Sequence, residues 1–288
     1  MKVQVIISVT VVFSLIYLAL NDVSLGRNIK SLSSEGSRLH DGLSRVHIVT
    51  QYTIFKNPKK LKIIARRQKE MLEALQNNLH HPHVAKIHVL CKDDSEMQYI
   101  LHSKLGNSDK LLFHHIGRDL CFSDVFRYIS ENLLGEAAMQ LNIDCFLEQG
   151  WHRLNITLLQ DKTMYALTRH ETDYSIKHCN AKEFCPNDRL ANQGSHDAFM
   201  VNLISPLPEA MLKQMEILKL PYLGIEQALI SLFRKYGFKV KNPCRILRIF
   251  HHHCSKYRNI KQKYINGTRI DRFLGINGSL GKVYNTGL

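Results

Sequence analysis

One short apolar stretch of the chain ends at residues that could hold a metal ion. Residues 136–144 read Glu-Ala-Ala-Met-Gln-Leu-Asn-Ile-Asp, so the stretch closes on Asn142 and Asp144. A fully buried central strand is typically an unbroken apolar run, and ligands of open α/β sheets collect beyond the carboxyl ends of such strands. An Asn-x-Asp there predicts a shortened Asp-x-Asp pair that holds Mn²⁺ or Mg²⁺ against a diphosphate. The alternative is that the two residues only end a strand and cap a helix.

Two histidines near the end of the chain could complete that metal site. A predicted strand at residues 244–250 leads into three consecutive histidines, His251, His252 and His253. Strand alternation places His251 and His253 on one face and His252 on the other. Imidazole is a common ligand of divalent transition metals, so this pair could join Asp144. A structural role for the histidines is the alternative, and no Cys-x-x-Cys pair supports a zinc finger.

Two further acids precede apolar elements. Asp197 lies directly before the apolar run 198–201, where a carboxylate can orient or deprotonate a substrate hydroxyl. Its neighbours Ser195 and His196 do not form a triad with it, because triad members meet through folding and not through adjacency. Glu226 begins a helical pattern, either as a first-turn acid favoured by the helix dipole or as a ligand to hydroxyl groups. Asp197 and Glu226 are therefore the candidate catalytic acids.

The elements that must position these residues alternate along the first half of the chain. Strand-like runs at 46–51, 84–91 and 110–116 are separated by helical patterns from residue 59 and at 123–132. This alternation predicts an α/β fold with a largely parallel sheet. Asp93 follows the second strand, where it either begins a helix or contacts a nucleotide base or ribose.

The first helix has an apolar stripe and a basic face. The stripe contains Leu61, Ile64, Ala65, Leu72, Leu75 and Leu79, at spacings of three, four and seven residues. Lys62, Arg66, Arg67 and Lys69 lie off that stripe. We therefore expect these four side chains to be solvated.

The chain carries a formal net charge of +14, which attracts polyanions and phosphate-bearing ligands. The basic residues are spread along the chain and lack the aromatic interleaving of an RNA-binding sheet. This distribution predicts no nucleic-acid partner and a surface that favours a diphosphate ligand.

The amino terminus resembles a membrane anchor. Residues 3–20 contain no charge and follow Lys2, and their length reaches the lower limit for spanning a bilayer. We predict an uncleaved signal anchor at residues 1–20, a flexible stem at 21–45 and a lumenal remainder. The alternative is a secreted chain, cleaved near Ser24-Leu25-Gly26.

In a lumenal location the sequons can be glycosylated and the cysteines can form disulfides. Asn155, Asn266 and Asn277 each begin an Asn-x-Ser/Thr sequon for glycosylation. The chain has seven cysteines, of which Cys179 and Cys185 flank a polar segment and are predicted to pair. Cys91 and Cys145 lie in strand-like runs and are predicted to be buried small hydrophobes.

Residues 46–255 resemble the GT-A-type glycosyltransferase-like proteins, which are small and poorly characterised eukaryotic transferases of the Golgi and secretory pathway. The resemblance rests on motifs that occur in the family's order: Asn142-Ile-Asp144, Thr168-Arg-His-Glu171, Ser195-His-Asp197-Ala-Phe199, Gly224-Ile-Glu226, Asn242-Pro-Cys244 and His251-His-His-Cys-Ser255. It implies a GT-A-like, mixed and mostly parallel sheet flanked by helices, followed by a basic tail at 256–288.

The resemblance also implies roles for individual residues. Asp144 would bind metal and diphosphate, His251 or His253 would add a further contact, and Asp197 would be the acceptor-side carboxylate or base. Arg169 would lie near the donor sugar or its phosphates, and Asn142 would also bind the donor.

The implied activity moves a sugar from a nucleotide-sugar donor to a hydroxyl of a glycan, protein or lipid, in the Golgi or endoplasmic reticulum membrane. The alternative is a catalytically inactive lumenal protein that binds glycan or nucleotide on the same fold.

Overall fold

The structure is a computed structural model, and it describes residues 44–56, 58–160, 162–171, 185, 195–219, 222–255, 257, 264–276, 283 and 285–288. The predicted signal anchor and residues 21–43 of the predicted stem lie outside these residues. Among the described residues, no helix combines the length and apolar character needed to cross a bilayer.

Strands and helices alternate through the first half of the chain and are shorter in the second half. The strands are β1 (Val46–Thr50), β2 (Val84–Cys91), β3 (Leu111–His115), β4 (Ala137–Leu141), β5 (Cys145–Leu147), β6 (Thr163–Thr168), β7 (His170–Glu171), β8 (His196–Asn202), β9 (Lys239–Lys241) and β10 (Ile249–His251). The α-helices are α1 (Leu61–His80), α2 (Asp94–His102), α3 (Phe122–Asn132), α4 (Thr157–Gln160), α5 (Glu209–Met215), α6 (Ile225–Lys235) and α7 (Ile270–Phe273).

The main sheet has seven strands in the order β3-β2-β1-β4-β8-β6-β9. The β1 strand is parallel to β2 and β4, β2 is parallel to β3, and β6 is parallel to β9, whereas β8 runs antiparallel to both neighbours. The prediction of a mixed, mostly parallel sheet is therefore confirmed. A second sheet of three strands, β5-β10-β7, is built from residues that follow β4 and β6.

Both faces of the main sheet are covered, which explains why β4 is an unbroken apolar run. All five residues of β4 are buried. One core contains Phe126, Phe199 and Phe233, and the other contains Leu75 of α1 and Trp151. A strand that is covered on both faces needs apolar residues at successive positions. Part of the predicted tail also belongs to the first core, since Ile270 and Val283 are buried there.

The predicted disulfide between Cys179 and Cys185 is wrong, because Cys185 is bonded to Cys244. The Cα atoms of this pair are 6.0 Å apart, although the residues are 59 positions apart in sequence. Cys179 lies outside the described residues. The chain reversal after β9 brings Cys244 to Cys185, and sequence proximity does not reveal such a contact. Cys91 and Cys145 are buried thiols, as predicted.

Removing the Cys185–Cys244 bond should lower the free energy of unfolding by roughly 2–4 kcal/mol, because the bond closes a long loop in the unfolded chain. Urea unfolding of Cys244→Ala and of the double variant with Cys185→Ala tests this. The two variants should be equally unstable, since either one removes the same bond. Peptide mapping that links Cys185 to another cysteine would contradict the assignment.

Three histidines and one tyrosine form a hydrogen-bonded chain across β1, β2, β3 and α3. His47 Nδ1 lies 2.9 Å from His88 Nε2, His88 Nδ1 lies 2.8 Å from Tyr128 Oη, and that hydroxyl lies 2.7 Å from His114 Nε2. Burial, followed by the neighbouring His47 and His114, lowers the pKa of His88 to about 3. Burial also lowers the pKa values of His47 and His114. The three imidazoles are therefore neutral in the folded protein near pH 7.

The buried position of His88 predicts a dependence of stability on pH. Between its unfolded pKa of about 6.5 and its folded pKa of about 3, only the unfolded state binds the proton. The free energy of unfolding should therefore fall as pH falls below about 6.5, by up to ~1.4 kcal/mol per pH unit for one proton. We expect His88→Gln to flatten this slope in urea unfolding between pH 7 and 4. The exposed His102→Gln serves as the control, and an unchanged slope in His88→Gln would contradict the prediction.

Candidate functional site

Asp144 lies in the turn that joins β4 to β5, at the carboxyl end of a buried parallel strand. The backbone there is tied to the end of β10, because His252 N donates to the Asp144 carbonyl at 2.7 Å and His251 pairs with Cys145. This register brings His251 Nε2 to 3.1 Å from Asp144 Oδ2, across 107 positions of sequence. The strand pairing thus delivers an imidazole to the carboxylate.

The structure brings together the three residues predicted to bind metal. Ligand atoms of Asp144, His251 and His253 all lie within 4.8 Å of one another. The two imidazole rings are in edge-to-face contact, with centroids 5.2 Å apart. His251 and His253 lie on the same side of the chain, as strand alternation predicted.

The hydrogen bond of His253 leaves one ring nitrogen suited to a metal. His253 Nε2 lies 2.8 Å from the carbonyl oxygen of Tyr257. A carbonyl only accepts hydrogen bonds, so Nε2 carries the proton and Nδ1 keeps its lone pair. Burial, followed by Arg67 and His251, lowers the pKa of His253 to about 3, so the ring is neutral. Metal-bound histidines typically donate their other N–H to a carbonyl or carboxylate in this way.

Asp144 is ionised despite its partial burial. Burial raises its pKa, but the opposing effects of His251 and Arg67 are larger together, and they hold the pKa well below its usual range. Its Oδ2 receives both Arg67 Nη2 and His251, whereas Oδ1 lies 3.9 Å from the Cys145 sulfur. The carboxylate is therefore charged and already shared between two basic groups.

The ligand set indicates which metals would fit. One carboxylate and two imidazoles suit Mn²⁺, Co²⁺ or Zn²⁺. Mg²⁺ takes oxygen ligands and would find only Asp144 here. The residues therefore fit a divalent transition metal and do not fit Mg²⁺ well.

Arg67 of α1 belongs to this site, so the prediction that it is solvated is wrong. Its side chain is 7% exposed and makes an ion pair with Asp144. Its Nη1 also donates to the His252 carbonyl at 3.0 Å and lies 3.3 Å from Glu70 Oε2. The buried stripe of α1 passes through Arg67, Gln68 and Glu70, while Leu61 is 67% exposed.

Arg67, Glu70 and Glu73 form a charged stripe along α1, with one residue on each successive turn. Glu70 accepts hydrogen bonds from Ser255 N at 2.6 Å and Ser255 Oγ at 2.8 Å. Glu73 Oε2 lies 2.7 Å from His252 Nε2. Residues three apart share a helix face. The charged stripe therefore fixes the segment 252–255, which carries His253. Charged residues three apart on one helix face are the sequence signal that indicates such a stripe.

Asp197 and Asn142 form a second group beside the first. Asp197 Oδ1 accepts from Asn142 Nδ2 at 2.5 Å and from Ser195 Oγ at 3.4 Å, and Oδ2 accepts from Arg169 Nη1 at 3.0 Å. Burial is the main cause that raises the pKa of Asp197; Glu226 adds to it and Arg169 opposes it. The Asn142 amide thus contacts Asp197, and Asp197 holds Arg169 in place.

Glu226 is the more accessible of the two candidate catalytic acids. Its side chain is 23% exposed, compared with 5% for Asp197. Glu226 accepts from Ser195 Oγ at 2.5 Å and from His196 N at 2.9 Å. Burial raises its pKa, but hydrogen bonds and charge from His196 and the Ser195 hydroxyl outweigh burial and lower the pKa overall. Glu226 is therefore an ionised carboxylate that solvent reaches.

A glycine allows α6 to begin next to this acid. Gly224 has φ +89°, and a Cβ at this position would lie 2.2 Å from Asp271 Oδ1. Only glycine combines that backbone conformation with that approach. The Gly224-Ile-Glu226 motif therefore sets the path into α6 as well as carrying the acid.

Asp93 lies at the end of β2 and caps α2. Its Oδ1 accepts from Ser95 N at 2.9 Å and from the Ser95 hydroxyl. The helix-starting role that the sequence left open is thus observed. Among the described contacts, none joins Asp93 to Asp144 or Asp197, and its role in donor binding stays a prediction.

Comparison with known proteins gives no family. No family model matches the chain, and no curated protein matches it. Solved structures similar to it include 4-diphosphocytidyl-2C-methyl-D-erythritol synthase from Anaerococcus prevotii, at 14% identity, 77% coverage of this chain, 94% of that chain and a TM-score of 0.42. The glycosyltransferase GlyE of Streptococcus pneumoniae shows 13% identity, coverages of 83% and 62% and a TM-score of 0.41.

A Bacillus anthracis protein described as a glucose-1-phosphate thymidylyltransferase shows 9% identity, 85% coverage of this chain, 98% of that chain and a TM-score of 0.41. At these identities and TM-scores, a functional proposal depends on the geometry of the site itself.

Proposed function

We propose that this protein is a glycosyltransferase that moves a sugar from a nucleotide-sugar donor to a hydroxyl acceptor. The observation that carries the proposal is the convergence of Asp144, His251 and His253 at the carboxyl end of β4. Ligands of mostly parallel sheets bind at this edge. The charge of Asp197 interacts with Asp144 and His251, and Glu226 lies close enough to interact with Asp197. We therefore assign donor binding to Asp144, His251 and His253, and activation of the acceptor hydroxyl to the neighbouring acids.

Asp144, His251 and His253 would hold a divalent metal, and the ligand set favours Mn²⁺ over Mg²⁺. When bound, such an ion neutralises a diphosphate and stabilises it as a leaving group. Arg169, oriented by Asp197 at 3.0 Å, adds a guanidinium suited to phosphate oxygens.

Glu226 is the better candidate for the base that accepts the proton of the acceptor hydroxyl. A general base must be ionised and within hydrogen-bond reach of the substrate. Glu226 is ionised and partly exposed, whereas the two oxygens of Asp197 already accept three hydrogen bonds. We therefore assign proton transfer to Glu226 and the positioning of Asn142 and Arg169 to Asp197.

One observation favours the catalytically inactive binding protein as a second candidate. Arg67 neutralises Asp144, which is the single carboxylate of the proposed metal site. A carboxylate that keeps this ion pair would attract a metal less strongly. The choice between the two functions depends on whether a donor is turned over.

A panel of uridine, guanosine and cytidine diphosphate sugars, incubated with the purified full-length chain, tests the proposal. We expect one donor class to release its nucleoside diphosphate, faster with Mn²⁺ or Co²⁺ than with Mg²⁺. Calorimetric titration of the same nucleotides separates the alternatives. Binding without release supports the inactive protein, and neither binding nor release overturns both candidates.

We also propose that the chain is held in the Golgi or endoplasmic reticulum membrane by one span, with residues 46–255 in the lumen. Two of the sequons support this, because Asn155 and Asn266 are exposed and can accept a glycan. The third sequon, at Asn277, lies outside the described residues.

If the domain is lumenal, Asn155→Gln and Asn266→Gln should each remove one glycan, because each variant deletes the acceptor amide of an exposed sequon. Gel mobility of protein made in eukaryotic cells, before and after endoglycosidase, measures this. Asn107→Gln, at a site with no sequon, is the control. Wild-type protein whose mobility does not respond to endoglycosidase would contradict the lumenal placement.

A further inference from the structure

A cavity of about 530 Å³ is lined by residues other than those of the proposed metal site, Asp144, His251 and His253. It is lined by Arg118, Glu216, Ile217, Lys219 and Tyr222. Cavities that hold small molecules typically measure about 300–1,000 Å³. The volume is therefore sufficient for one or more sugar rings.

The two walls of the cavity are fixed to each other and to the carboxyl end of β1. Phe122 N donates to the Leu218 carbonyl at 2.9 Å, which ties the start of α3 to the segment after α5. Gln51, directly after β1, donates to the Arg118 carbonyl at 3.4 Å and accepts from Leu120 N at 3.1 Å. The walls of the cavity are therefore held in place by hydrogen bonds, at the same edge of the main sheet as the proposed site.

The chain leads directly from this cavity to the proposed base. Tyr222 precedes Glu226 by four residues, and the turn at Gly224 joins them. One short segment therefore joins a wall of the cavity to the residue that we assign as the base for the acceptor hydroxyl.

The lining does not select for anions. Arg118 is paired with Asp124, and the exposed cation Lys219 is offset by the exposed anion Glu216. A phosphate or sulfate site would carry an excess of positive charge. Instead, the cavity has hydrogen-bond donors and acceptors in similar measure.

Two lining residues add an apolar surface. Tyr222 and Ile217 are partly buried and pack against the core beneath α3, α5 and α6. A sugar has apolar C–H faces and a rim of hydroxyls, so it needs an aromatic or aliphatic surface together with groups that donate and accept hydrogen bonds. This combination matches the lining.

We propose that the cavity binds an uncharged saccharide as the acceptor, with Tyr222 against a sugar face and with Lys219 and Glu216 on hydroxyls. This inference rests on the proposed function, and it narrows the acceptor from glycan, protein or lipid to a glycan.

Saturation-transfer NMR of the full-length chain with lactose, cellobiose and N,N′-diacetylchitobiose tests the proposal without any turnover. We expect at least one disaccharide to bind. Tyr222→Ala should weaken binding about ten-fold, equivalent to ~1.4 kcal/mol. Tyr222→Phe should retain binding, because it keeps the ring. Tyr264→Ala, which removes an exposed tyrosine elsewhere, is the matched control.

Lys219→Ala provides a second variant at an exposed position, where folding is not at risk. It should weaken binding of the same disaccharide. When no acceptor is present, it should not change the rate at which the donor releases its nucleoside diphosphate. Failure of every disaccharide to bind, or equal binding by wild-type and Tyr222→Ala, overturns the saccharide cavity. If donor release persists in that case, the glycosyltransferase proposal stands; if disaccharides bind but no donor is used, the saccharide cavity stands and the transferase proposal fails.

Discussion

Asp144→Asn is expected to lower nucleotide-sugar turnover by about 10²–10³-fold, the range seen when one charge-stabilising group is removed from an active site. Asp144 supplies the only carboxylate of the group it forms with His251 and His253. The amide keeps the shape of the side chain and one oxygen but removes the charge, so the proposed metal would be held more weakly. The loss should appear in kcat, because a metal held by these residues would stabilise the departing nucleoside diphosphate.

Binding of Mn²⁺, followed by electron paramagnetic resonance, gives a measurement that does not depend on turnover. We expect Asp144→Asn to bind Mn²⁺ at least ten-fold more weakly than the wild-type chain, because loss of even an outer partner of a metal ligand typically costs about 10–100-fold in affinity. Asp93→Asn is the matched control, because Asp93 also follows a parallel strand but caps α2. It should keep Mn²⁺ binding, because the side chain of Asp93 caps α2 and lies outside the group of Asp144, His251 and His253. Full turnover by Asp144→Asn would show that a group other than Asp144 stabilises the charge of the diphosphate.

The local pattern of the sequence was sufficient to bring Asp144, His251 and His253 together. The apolar run of β4 predicted a buried strand with Asn142 and Asp144 at its end, and strand alternation placed His251 and His253 on one side. Both inferences use periodicity that a few neighbouring residues define. The largely parallel character of the sheet followed from the alternation of elements in the same way, whereas its antiparallel strand was implied only by the family resemblance.

The residues that support this group could not be placed from local pattern. Arg67 and Glu70 are charged residues in a helix, and charged residues are rarely buried unless paired. Their partners are distant in sequence: Glu70 bonds Ser255 across 185 positions, and Arg67 meets Asp144 across 77. The disulfide between Cys185 and Cys244 likewise joins residues that are distant in sequence. Contacts of this range are set by the packing of α1 and β10 against the sheet.

Arg67→Ala is expected to lower the free energy of unfolding by about 3–5 kcal/mol, which is typical when one partner of a buried ion pair is removed. The variant leaves Asp144 and Glu70 as neighbouring anions in a largely buried site, and it frees the His252 carbonyl. Lys62→Ala is the matched control, because Lys62 is a basic residue of the same helix and is exposed. We expect the control to change stability by no more than about 0.5 kcal/mol in urea unfolding.

Added Mn²⁺ makes the test specific to the proposed site. A ligand that binds only the folded state stabilises it in proportion to its affinity. Without Arg67, Asp144 has no guanidinium competing for its charge, so Mn²⁺ should stabilise Arg67→Ala more than it stabilises the wild-type chain. Mg²⁺ should do so less, because two of the three ligands are imidazoles. Equal stabilisation of both proteins by Mn²⁺ would mean that Arg67 and the metal do not share Asp144, and Arg67 would then act only through packing.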